Sequence, residues 1–113
     1  MIVEAPTLLG AVNEGFRTAS TGRELGLQSA DVDDATLIVV FSGSAEDRRG
    51  PFGARISIPR DASDPEWTRW GVVSGLEEWV MYAVVQRIAE EYLTGGAERG
   101  SRDADGTLWL QLS

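Results

Sequence analysis

The chain of 113 residues contains no cysteine, no histidine and no lysine. Without cysteine there is no disulfide and no thiolate nucleophile, and without either Cys or His the usual zinc sites are excluded. The missing imidazole also removes the commonest general base and the Ser-His-Asp arrangement. Whatever catalytic chemistry remains would have to use carboxylates, hydroxyls or arginine. Long apolar runs are absent as well. The longest extends only from Trp79 to Val85, whereas a membrane helix needs about 20 such residues. The segment Met1 to Pro6 has neither the charged start nor the apolar stretch of a secretory signal, so cytoplasmic synthesis is expected.

Ten arginines face eighteen Asp and Glu, giving a net charge of -8. A continuous basic surface for a phosphate backbone is therefore excluded, and direct nucleic-acid binding is not expected. Hydrophobic residues make up 42% and charged residues 25%, ordinary values for a globular chain, and the length suits one domain over 1–113. The charge is unevenly spread. Between Arg48 and Arg69 five arginines meet three acids (Asp61, Asp64, Glu66), a local excess of two positive charges, and the remainder of the chain carries -10.

The pattern of residues predicts an α+β fold with a small, mostly antiparallel sheet. Leu8, Leu9, Val12 and Phe16 recur at helical spacing after Thr7, which predicts a helix over about 7–19. The polar stretch 20–35 shows no period and reads as a long surface connection. Residues 36–42 form a β-branched apolar run, residues 53–58 alternate, and residues 107–112 alternate after the Asp105-Gly106 turn; each predicts a strand. Ser63-Asp64-Pro65-Glu66 is a helix start and Gly95-Gly96 a stop, which predicts one long helix over about 65–94. Such a helix would measure roughly 40 Å, so it must kink, protrude or pack on another copy. Its apolar stripe changes side near Val84, and the turn Trp79–Val85 is apolar all round, a stretch that its own fold or a partner should cover. Gly71-Val72-Val73-Ser74-Gly75 has a small-residue spacing that would seat the helix on the sheet or let it bend.

Candidate chemistry is sparse. Ser101 to Gly106 has oxygen ligands at calcium-loop spacing, but Leu112 stands where the bidentate Glu is required, so a plain turn is expected. Asp31, Asp33 and Asp34 offer hard-cation ligands and read as a solvated loop cluster. The pairs Glu77-Glu78 and Glu90-Glu91 cannot converge, because adjacent helical residues point about 100° apart. No cofactor, metal, small-molecule substrate or enzymatic activity is expected. The candidate partner-binding residues are Arg48, Arg49, Arg55 and Arg60 on the mildly basic hairpin and the anchors Trp67, Trp70 and Trp109.

Unlike surfaces on one chain suit a head-to-tail contact, and such contacts build rings or filaments. The expected function is a non-catalytic protein–protein interaction and assembly subunit that forms a homo-oligomer or binds another protein. The order of elements is similar to that of phage head–tail connector and tail-terminator proteins, which implies a virion component. The alternative is a small acidic inhibitor or immunity protein that presents Asp and Glu to a basic groove of a nuclease, toxin or other effector.

Overall fold

The stretch expected as a long surface connection contains the first strand of the sheet. The computed structural model describes residues 4–18, 25–44, 46–61, 63–69 and 75–112. In it Gly26–Asp33 forms β1 and pairs antiparallel with β2, Thr36–Ser42. Leu27 pairs with Phe41 and Ser29 with Val40, so one extra residue bulges between them. The side chains of β1 that pack toward the core, Leu27, Ala30 and Val32, are therefore spaced by three and then by two. That irregularity hides the two-residue period of a strand. The tight turn into β2 places Asp34 at φ 56, a left-handed conformation that Asp tolerates through its local hydrogen bonding.

Phe52–Ser57 forms β3, one residue earlier than its alternation indicated, and pairs antiparallel with β2. The last predicted strand is shorter than expected. Its ladder is confined to β5, Leu108–Trp109, which runs parallel to β3 and antiparallel to β4, Ser101–Arg102. A two-residue neighbour limits the ladder on that side, yet Leu108 and Leu110 still enter the core while Trp109 faces the other way. The five strands form a mixed sheet in the order β1-β2-β3-β5-β4.

Helix α1 spans Ala5–Thr18 and buries Leu8, Val12, Gly15 and Phe16. It begins two residues before Thr7, because Pro6 lacks only an amide that a first turn leaves unpaired. The long second helix does not form as one rod. Pro65–Trp67 makes a single 3₁₀ turn capped by Asp64, and a new helix starts only after Gly75, whose backbone is extended. The reason is visible in the two tryptophans. Trp67 and Trp79 meet edge to face with ring centroids 6.0 Å apart, whereas a continuous helix would hold their backbones about 18 Å apart. Trp79 also donates from Nε1 to the Glu66 carbonyl at 3.1 Å. Burying both rings folds the 3₁₀ turn back against the helix. Trp70 and Gly71–Ser74 lie outside the described residues.

Helix α2 comprises Leu76–Trp79, a π-helical stretch Val80–Gln86 and an α-helical end Arg87–Leu93. The wider π turns account for the shift in the apolar stripe. They bring Trp79, Val80, Ala83 and Val84 on one side of the shift, and Val85, Ile88 and Ala89 on the other, into one buried cluster. The apolar turn is not covered all round, since Tyr82 remains 44% exposed. The same cluster contains Leu8, Val12 and Phe16 of α1 with Leu37, Val39, Phe41, Ala54 and Ile56 of the sheet, so both helices cover one sheet face. Among the described residues no helix is long and apolar enough to cross a membrane.

Replacing Trp79 by Ala removes the ring at this junction and is expected to cost about 3–5 kcal/mol. Tyr82→Ala, on the exposed side of the same turn, is expected to stay within about 0.5 kcal/mol. Urea unfolding followed by circular dichroism measures both.

Candidate interaction surface

Core and outward side chains alternate along each strand. Because Leu37, Val39 and Phe41 of β2 and Phe52, Ala54 and Ile56 of β3 are buried under the helices, Thr36, Ile38 and Val40 and Gly53, Arg55 and Ser57 point to the opposite face. The registers align them in three rungs: Asp33–Thr36–Ser57, Asp31–Ile38–Arg55, and Ser29–Val40–Gly53–Trp109. Across the face the chemistry is graded, from acids on β1 through aliphatic groups on β2 to a cation and an indole on β3 and β5. Ile38 and Val40 are partly exposed, and Asp31, Asp33, Arg55 and Ser57 are exposed.

Trp109 is held rigidly. Its ring lies flat over Gly53, where a Cβ would come within 2.5 Å of the indole, so only glycine lets the ring settle on the strand. Its Nε1 donates to Asp103 Oδ2 at 2.7 Å. Asp103 also accepts from the backbone amides of Asp105 and Thr107, and Gly106 takes φ 86. The segment resembling a calcium loop is thus a turn organised by one carboxylate. The Trp109 hydrogen bond pulls the Asp103 carboxyl below the ordinary carboxylate range, against the opposing effect of desolvation. Above the ring sits Arg55, its guanidinium carbon 3.7 Å from the centroid, a cation–π contact of about 0.5–1 kcal/mol at an exposed site. The result is a cation fixed on an aromatic plate beside two half-open aliphatic residues.

The other candidates lie elsewhere. Arg49 pairs with Asp47 at 2.8 Å, Arg60 with Asp64 at 3.8 Å, and Arg69 with Glu66 at 2.9 Å. Counting Asp47 as well, an excess of one positive charge remains over residues 47–69, and Arg49 and Arg60 each have an acidic partner within the chain whereas no ion pair is seen for Arg55 among the described residues. Arg48 is exposed. Trp67 is a core residue, buried and donating from Nε1 to the Asp61 carbonyl at 2.6 Å. Trp70 lies outside the described residues.

Two residues that the sequence did not single out hold the loop between β2 and β3. Tyr92 of α2 packs edge-on against Phe41 and Phe52, donates its hydroxyl to Asp47 Oδ2 at 2.6 Å, and accepts from the Ser44 amide at 3.2 Å. The only advance sign was an aromatic residue in the last turns of a helix whose neighbours are charged. Asp31 and Asp33, expected in a loop, lie on β1, with Asp34 in the following turn. Among the described residues no three carboxylates converge on a metal position. On the helical side, a groove of about 880 Å³ between α1 and α2 is lined by Ala11, Leu76 and Met81 with Glu14, Glu77 and Glu78.

Hydrogen bonds from Arg49 and then Tyr92 hold the Asp47 carboxyl well below the usual range. Its folded pKa lies under the unfolded value, so its contribution to stability is present above the unfolded value and is lost as pH falls through the folded one. Asp47→Asn is therefore expected to melt below the unaltered protein at pH 7, with the gap closing as pH falls from about 5 toward 2. Thermal unfolding at a series of pH values checks this.

No family model, no curated protein and no solved structure matches the chain.

Proposed function

We propose that the protein is a non-catalytic interaction and assembly subunit whose working surface is the open face of its sheet. The observation that supports this reading is the stacked Arg55–Trp109 pair beside Ile38 and Val40. Tryptophan and arginine are the residues most enriched where binding energy concentrates, and aliphatic groups beside them supply surface whose burial favours association. The pair is also preorganised: Gly53 and Asp103 fix the ring before any partner arrives, which lowers the ordering cost of binding. The partner is another protein or a second copy of the chain, and a multisubunit particle such as a phage virion is the setting that suits such a component. The second reading, an acidic inhibitor of a basic effector, draws its support from the Glu-rimmed groove between α1 and α2.

Light scattering after size exclusion, over a range of concentrations and at low and high salt, tests the first reading. Ile38→Asp and Trp109→Ala are expected to reduce association at least tenfold. Reversing Glu14 and Glu77 to Arg, at the groove, should leave it unchanged. Association lost only with the groove variants would overturn the open-face reading.

A further inference from the structure

We propose that the partner on the open face is a second copy of this chain, docked face to face about a twofold axis that runs along β2. This rests on the reading of that face as the interaction surface and adds the identity and geometry of its occupant. A twofold axis parallel to the strands turns each rung end for end onto itself. Asp31, one strand to one side of Ile38, then faces Arg55 of the partner subunit, one strand to the other side. Ile38 meets its own counterpart, as do Thr36 and Val40, and Asp33 faces Ser57 of the partner subunit. Every cross-contact occurs twice, as an isologous interface requires.

The alternatives within the same plane are poorer. A twofold axis perpendicular to the strands would set β1 against β1 and β3 against β3, so the acids of β1 oppose one another and, with the axis through the Ile38 rung, Arg55 opposes Arg55. A slide along the strands is forbidden by the dyad itself, so the register is fixed by symmetry. The gap between stacked sheets is about 10 Å, which suits a long guanidinium stem opposite a short carboxylate. Among the described residues no acid forms an ion pair with Arg55: its guanidinium lies on the Trp109 ring, and the Asp103 carboxylate that holds that ring acts on it only at longer range. Of the basic block that suggested a head-to-tail contact, Arg49, Arg60 and Arg69 are each paired with an acid within the chain.

The face is small. With the axis on β2 only β1, β2 and β3 of the two copies overlap, and strands about 4.8 Å apart with a rise of about 3.3 Å per residue give a patch on the order of 14 by 23 Å, with Trp109 at its rim. That is below the standard range for specific interfaces, so a weak, transient dimer is expected rather than an obligate one.

Sedimentation equilibrium on the full chain tests the charge pairing. Arg55→Asp and Asp31→Arg should each weaken the dimer at least tenfold, and the double variant should restore it to within a few fold. Thr36→Arg, remote from Trp109 and next to the axis, should also split the dimer by opposing two like charges. It keeps the test open if loss of the Arg55 stack disturbs folding, which circular dichroism would reveal. A chain that stays monomeric to millimolar concentration overturns the twofold dimer. Association that each single reversal weakens but the double variant fails to restore overturns the twofold pairing and leaves the surface standing for another partner. Association indifferent to all three variants overturns the surface as well.

Discussion

Among the described residues the five-stranded sheet is covered by helices on one side only. Two described helices are available, and both are drawn to the same face by one continuous apolar cluster. A short chain gains most from one core and has too little interior for two. Everything else follows from that one-sidedness. Strands buried on one face must present polar or self-shielding groups on the other. The indole laid over Gly53 and capped by a guanidinium is one solution, because each layer covers part of the surface beneath it. It leaves the middle strand, with Ile38 and Val40, as the least protected part of the sheet.

The helical layer shows the same economy of material. Bringing Trp67 onto Trp79 closes the end of the core at the expense of helical continuity between them. The π-helical stretch then turns the C-terminal half of α2 so that Ile88 and Ala89 still reach the sheet. Tyr92, four residues past Ile88, carries the packing out to the loop between β2 and β3 and ties that loop down with two hydrogen bonds. A single helix thus seals the core near its beginning and fixes a loop near its end.

Elements with a clean period were legible in the sequence. The alternation of Arg55 and Ser57 with Ile56 and Ile58, the apolar run of β2 and the inward Leu108 and Leu110 all place the correct faces, and the α+β class follows from their order. What failed did so for identifiable reasons. The bulge at Leu27 and Ser29 erased the period of β1. The capping signals at Asp64 and Pro65 are real, but they start one 3₁₀ turn, because a helix start carries no information about its length. The charge count around Arg48 to Arg69 stops one residue short of Asp47, which pairs with Arg49, and a net count does not reveal that Arg60 and Arg69 each sit beside a specific acid. Of the candidate surface residues, Arg55 and Trp109 come together, a pairing that depends on the parallel ladder between β3 and β5 and on no local pattern.

The two edges of the sheet are unlike each other but share one property. β1 carries a bulge and two outward acids, and β4 at the far edge is two residues long. Unpaired strand edges are the templates on which chains add to one another in fibrils, and bulges, charges and short strands all blunt them. Both edges of this sheet are thus blunted against sideways lengthening, which favours order built with neighbours through side chains over order built through backbone.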